Sequence, residues 1–114
     1  MERMIRVNAL LKRELGVVFE RLICSEFECL ITVTDVETSP DLHEGTVYVS
    51  VYGSEQQQQD VMRSLRKRRG EIQRHVSKSI TLKYMPVLRF KLDGQAARAD
   101  SLMRILREIE GEDG

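Results

Sequence analysis

Two β-branched segments separated by only seven residues set the strongest limit on how this chain can fold. The first, "LITVTDVET" (Leu30 to Thr38), is rich in Val, Ile and Thr, whose stiff, branched side chains favour pleated backbone. The second, "TVYVSVY" (Thr46 to Tyr52), alternates without a slip. Val47, Val49 and Val51 face one way, and Tyr48, Ser50 and Tyr52 the other. That pattern describes a strand with one buried and one partly open face. Between the segments lies "SPDLHEG" (Ser39 to Gly45), a turn by composition, in which Asp41 is suited to bond its own backbone. A link this short joins the strands as an antiparallel hairpin. In the first segment the alternation slips between Val33 and Val36, which predicts a β-bulge.

Helical patterns flank the hairpin. Met4, Val7, Leu11, Leu15, Val18 and Leu22 recur at three- and four-residue steps and predict a helix over residues 3–23, stopping near Ser25 and Glu26. Gly53 ends the second strand, and Ser54 with Gln57 forms a capping box that opens a helix running to about Ser79. Leu88, Phe90 and Leu92 then alternate with Arg89 and Lys91 as a third strand, after a break at Pro86. A last helix, about Ala96 to Ile109, places Leu102, Ile105, Leu106 and Ile109 on one face, with Asp93 as its cap or turn residue. The order is α-β-β-α-β-α. A length of 114 residues suits one α+β domain over residues 1–110, with 111–114 as a short, disordered acidic tail.

The long second helix carries the most distinctive stretch, "SLRKRRGEIQRHVSKS" (Ser64 to Ser79). A glycine costs a helix interior about 1 kcal/mol relative to alanine, so Gly70 needs a reason. At about 100° per residue, Lys67, Gly70, Arg74 and Lys78 fall within roughly 60° of Arg63, with Val61, Leu65, Ile72 and Val76 opposite. The apolar stripe keeps its phase through Gly70. This predicts one helix, or two segments joined by a modest kink. Arg68 and Arg69 flank the stripe, where their stems line the core boundary and their heads reach water.

Formal net charge is zero, yet the charge is segregated. Residues 1–13 carry four basic and one acidic side chains, residues 14–60 one and ten, residues 61–91 ten and one, and residues 92–114 three and six. A Debye length of about 10 Å at 0.1 M salt lets the basic block act locally on an anion. A solvated helix face is the ordinary reading of such a block, and a phosphate-binding surface the functional one.

Other chemistries lack their residues. No apolar run approaches the roughly 20 residues of a membrane span, and the N-terminus opens with charges rather than an h-region. Cys24 and Cys29 form a lone C-x4-C pair, and His43 and His75 are isolated, so no metal site of three or four ligands is expected. Two reduced cysteines fit a cytoplasmic protein. No P-loop and no nucleophile–base–orienter set occurs, so neither an enzyme nor a cofactor or small-molecule substrate is expected.

The element order, with a glycine interrupting a long helix, is similar to the type II KH fold. More specifically, "RMIRVNALLKREL", "ITVTDVETSPDLHEGTVYVSVYG", "LRKRRGEIQRHV" and "YMPVLRFKLD" together resemble the ribosome-binding factor A family. The resemblance implies a single type II KH-like domain, with a three-stranded sheet and helices packed on one face. It implies a non-catalytic, monomeric assembly factor of the 30S ribosomal subunit, acting late in 16S rRNA maturation and supporting growth in the cold. It also implies an interhelical kink of pattern A-x-G, here Arg68, Arg69 and Gly70, with arginine where the family usually has alanine. Gly45 likewise stands where alanine is common, and an acidic tail replaces the basic C-terminal extension of some members.

On this reading Arg63, Arg66, Lys67, Arg69, Arg74 and Lys78 contact rRNA phosphates. Lys83, Arg89 and Lys91 extend the surface along the third strand, and Arg3, Arg6, Lys12 and Arg13 contribute from the first helix. With three Phe and three Tyr in the chain, and only Tyr48 and Tyr52 placed on an open strand face, base stacking is a minor element. A competing reading makes the acidic hairpin region, with Glu26, Glu28, Glu37, Asp41 and Glu44, a docking surface for a basic partner such as a ribosomal protein.

Overall fold

Residues Leu30–Thr38 (β1) and Glu44–Tyr52 (β2) pair antiparallel, as the two β-branched segments require. A computed structural model of the protein describes residues 2–82 and 84–93. The helix expected near 96–109 and the acidic tail lie outside the described residues, as does Lys83. The register shifts between Val33 and Asp35, so the bulge sits at Thr34, inside the interval where alternation slipped. The Thr34 hydroxyl donates to the Tyr48 carbonyl at 3.2 Å and holds the bulge against β2.

β2 begins two residues earlier than its composition suggests. Ser39 N–H donates to the Glu44 carbonyl at 2.9 Å, and Glu44 N–H donates to the Ser39 hydroxyl at 3.0 Å, which tightens the loop. Asp41 performs the expected turn chemistry: its Oδ1 accepts from the Ser39 hydroxyl at 2.6 Å and from His43 N–H at 3.0 Å. These bonds hold the Asp41 carboxyl below the ordinary carboxylate range. Next to it, Leu42 adopts a left-handed φ of 61°, and its half-buried side chain packs on the core.

Residues Val87–Leu92 (β3) add to β2 in parallel, with Val47 opposite Phe90, giving the sheet order β1-β2-β3. A parallel neighbour requires a crossover, and two helices supply it: Glu55–Lys67 (α2) and Arg69–Ser79 (α3). The capping box at the start of α2 is complete. Gln57 N–H donates to the Ser54 hydroxyl at 3.1 Å, and Ser54 N–H donates to the Gln57 side-chain oxygen at 2.8 Å.

The N-terminal helix, Glu2–Leu22 (α1), buries Val7, Leu11, Leu15 and Val18, four of the six residues of its expected stripe, plus Phe19. It gives way to a 3-10 turn at Cys24–Glu26, where the sequence signalled a stop. α1 packs over β1, and α2 and α3 lie against β3, so the helices cover one face of the sheet. Val47, Val49 and Val51 of β2, with Leu88 and Phe90 of β3, supply the sheet side of the core. Ser50 is fully buried although it alternates toward the other face, and its hydroxyl has no hydrogen-bond partner among the described residues. The order α-β-β-α-β with a broken second helix is the one the KH resemblance implied.

Candidate nucleic-acid interface

The cationic surface is a by-product of how α2 and α3 bury their apolar residues. Val61, Met62 and Leu65 of α2, and Ile72 and Val76 of α3, are buried. One stripe therefore passes through the break, as the helical phase predicted. The residues opposite are forced outward: Arg63, Lys67, Gly70, Arg74 and Lys78 are exposed, with Arg66 and Arg69 beside them. Arg63 contacts Asp60 at 3.7 Å. Among the described residues, Arg66, Lys67, Arg69, Arg74 and Lys78 have no carboxylate within 4.0 Å, although Arg74 acts electrostatically on Glu71 from further off.

The break falls at Arg68, the first of the three kink positions, and not at Gly70. Arg68 has φ −96° and ψ 11°, outside the helical basin, while Gly70 lies inside α3 without a positive φ. Backbone bonds from Arg68 N–H to the Ser64 carbonyl and from Ile72 N–H to the Arg68 carbonyl, both 2.9 Å, carry the ladder across it. The Arg68 head does not reach into water as its position beside the stripe suggested. Its Nη1 donates to the Leu22 carbonyl at the end of α1, at 2.7 Å, and to Glu26 Oε1 at 2.5 Å. Nε and Nη2 donate to the two oxygens of Glu71, at 3.1 and 3.2 Å. The side chain keeps 21% exposure. Arg68 thus folds back onto α1, where it ties the kink to the preceding 3-10 turn. Hydrogen bonding from Arg68 holds the Glu71 carboxyl below the ordinary carboxylate range.

Gly70 has no atom within 4 Å of where a Cβ would stand. The fold therefore does not need a glycine there for space or for backbone geometry. Gly70→Ala is expected to raise stability by up to about 1 kcal/mol, from helix propensity, as read by an increased urea midpoint. If Gly70 serves a close backbone approach by RNA, the same variant binds its target more weakly while folding better.

Two grooves follow β3. One, of about 510 Å³, is lined by Arg69, Gly70, Gln73, Arg74, Met85 and Val87. The other, of about 470 Å³, has Glu55, Gln59, Met62, Arg63, Arg66 and Leu92 in its lining. Val87 and Asp93 donate their N–H groups to His43 and Val49 of the β2 side, at 2.9 and 2.8 Å. The period of two then turns the N–H groups of Leu88, Phe90 and Leu92 outward. That of Leu88 is met by the Gln73 side-chain oxygen at 3.3 Å, which anchors α3 to the strand.

The other predicted contacts are dispersed. Because Leu88 and Phe90 are buried among the helices, Arg89 and Lys91 point to the opposite face of the sheet. Arg89 is also paired with Glu44 at 3.2 Å. On α1, which packs over β1, Arg6, Lys12 and Arg13 are exposed, and Arg3 is exposed beside the segment before β3. The acidic residues of the competing reading are mostly engaged within the fold. Glu26 holds Arg68, Glu44 holds Arg89, Asp41 builds the turn, and Glu37 accepts from the Tyr48 hydroxyl at 3.2 Å. Glu28 remains as an exposed carboxylate.

Sequence reasoning missed one aromatic pair. The rings of His43, at the hairpin tip, and Tyr84, before β3, stack with centroids 5.9 Å apart and planes 22° apart. They are far apart in the chain, and only the parallel placement of β3 brings them together. Among the described residues, no three His, Cys, Asp or Glu side chains converge as a metal site needs, and no helix is long and apolar enough to cross a membrane. Cys24 and Cys29 are unpaired, and burial pushes both thiols up, away from the reactive thiolate.

Comparison with known proteins gives one answer. Residues 3–106 match the family model described as "Ribosome-binding factor A". A ribosome-binding factor A from Opitutus terrae is 35% identical over 108 residues, covering 95% of this chain and 88% of the relative. One from Brevibacillus brevis is 36% identical over 110 residues, covering 96% and 91%. The crystal structure of ribosome-binding factor A from Thermus thermophilus superimposes with a TM-score of 0.65 at 24% identity, over 78% of this chain and 94% of that one. A second set of Thermus thermophilus coordinates, a homology model fitted into a cryo-EM map of a 30S complex, superimposes with a TM-score of 0.63 at 25% identity, over 74% and 88%.

Proposed function

The chain belongs to the ribosome-binding factor A family, and from that premise we propose that it binds the 30S ribosomal subunit as a non-enzymatic assembly factor and assists late maturation of 16S rRNA. The observation that carries the proposal is the exposed face of α2 and α3, where five cations make no ion pair within 4.0 Å among the described residues, beside the bare backbone of Gly70. Lys67, Arg69, Arg74 and Lys78, with Arg63 and Arg66, neutralise rRNA phosphates. Such contacts position a protein without reading sequence. Selectivity comes from the shape of folded RNA against the grooves along β3. Gln73 and Ser77 offer hydrogen bonds within the α3 groove. The factor works as a cytoplasmic monomer, and its importance is greatest in the cold, where misfolded rRNA escapes slowly. The acidic hairpin is the weaker docking surface, because four of its five carboxylates already have partners in the fold.

Sedimentation of the tagged protein in cell extract tests this. Co-migration with free 30S subunits at low salt is expected, and progressive release as salt rises. With about six phosphate contacts the logarithm of the binding constant should fall with log salt at a slope of about −4 to −5. Association that ignores salt, or migration only at the top of the gradient, overturns the proposal.

A further inference from the structure

The stacked pair His43–Tyr84 stands at the rim of a cavity that the cationic helices do not use. This cavity, of about 520 Å³, lies between the start of α1, the hairpin tip and the segment before β3. Its size is within the range of about 300–1,000 Å³ typical of small-ligand sites. Leu42 and Pro86 contribute apolar lining, and Arg3 and Asp41 contribute charge. We propose that it takes one unstacked nucleobase bearing an exocyclic amine, from the RNA on which the protein docks; the inference rests on the RNA-binding reading above.

Four observations converge on a base rather than a phosphate. Tyr84 is 62% exposed and its ring stacks on that of His43, so the two form an aromatic surface at the cavity. Aromatic platforms of this kind receive splayed bases from single-stranded RNA. Among the described lining residues, Arg3 and Asp41 bring opposite charges, so that lining carries no net positive charge for a phosphate. The exposed Asp41 carboxylate accepts the turn bonds at Oδ1, and a carboxylate has acceptor capacity beyond these, so it can also accept from an amine, as carboxylates do with cytosine N4. Finally, Leu42 carries the single positive φ among the described non-glycine residues. Strained backbone of this kind persists where the surroundings fix it and clusters at ligand sites. Here it seats the Leu42 side chain in the lining and leaves the neighbouring His43 ring at the rim.

The test measures binding to 30S subunits and to protein-free 16S rRNA for the unmodified chain, Tyr84→Ala, Tyr84→Phe and Arg74→Glu. Tyr84→Ala is expected to weaken binding to both targets by about 5- to 100-fold, the range for one lost base–aromatic stack, with the salt slope unchanged. Tyr84→Phe keeps the ring and should bind normally. Arg74→Glu should flatten the salt slope. If Tyr84→Ala binds both targets normally while Arg74→Glu does not, the base site is overturned and the RNA-binding reading stands. If Tyr84→Ala is weakened on 30S subunits but normal on bare rRNA, the cavity receives a protein segment and the proposal is likewise overturned. Failure of the unmodified chain to bind either target overturns the parent reading, and the base site with it.

Discussion

Replacing Lys67 and Arg74 together by glutamate is expected to weaken binding to 30S subunits about 100-fold or more near 0.1 M salt. With a slope of about 0.7–0.9 per phosphate contact, each contact contributes about five- to eightfold at 0.1 M relative to 1 M salt. Two contacts are lost, and each new carboxylate also repels the phosphate it faces. The salt dependence should become shallower by about 1.5 in slope, since fewer counterions are released. Both side chains are exposed and make no ion pair within 4.0 Å among the described residues, so their reversal should leave stability within about 0.5 kcal/mol. Fluorescence anisotropy across a salt series, paired with urea denaturation, separates the two effects. Unchanged binding by the double variant would move the interface off α2 and α3 and revive the acidic hairpin as the docking surface.

The largest stability effect is expected at Phe19. Its side chain is 2% exposed, and its ring lies 6.0 Å from that of Phe90, at 45°, joining α1 to β3 across the core. Truncation of such a ring to alanine costs about 3–5 kcal/mol, against a total stability of about 5–15 kcal/mol for a domain of this kind. For a urea m-value of about 2 kcal/mol/M, the midpoint of Phe19→Ala should fall by roughly 2 M. A fall of less than about 0.5 M would show that α1 does not seal this end of the core in solution. The effect should be purely one of folding, because Phe19 is remote from the exposed cationic face.

Phe19 also shows where sequence reasoning stopped. The apolar stripe through Val7, Leu11, Leu15 and Val18 was legible because helical period alone draws it, whereas Phe19 is one step off that line and is buried by a partner on β3. The hairpin, the bulge near Thr34 and the Ser54–Gln57 capping box were legible for the same reason: each is decided within a few residues. The position of the kink was not. It is fixed by Arg68 reaching the Leu22 carbonyl and Glu26, 46 and 42 residues back in the chain, and nothing in "LRKRRGEIQ" announces those partners. The cationic stripe was readable from phase, because burial of Val61, Leu65, Ile72 and Val76 leaves the opposite face no other place to point. The alternation of β3 was equally plain, but not which side the helices would cover. Arg89 and Lys91 therefore looked like extensions of a surface they face away from. The His43–Tyr84 pair had no sequence signal, since it depends on a parallel pairing that local pattern does not encode.

The Gln73 side-chain amide described above, together with a second on α1, has a consequence beyond anchoring. In the described sheet, β1 and β3 are the outer strands, and outer strands are templates onto which a further chain can stack. Gln73 of α3 occupies the outward N–H of Leu88 on one border. On the other, Asn8 of α1 accepts from the Thr38 N–H at 3.1 Å and from its hydroxyl at 2.7 Å. Each border thus has a ladder rung already filled by a helix of the same molecule, so an incoming strand would have to break an internal bond before it could zip along the sheet. The docking of the helices, which builds the core, also works as protection against runaway self-association.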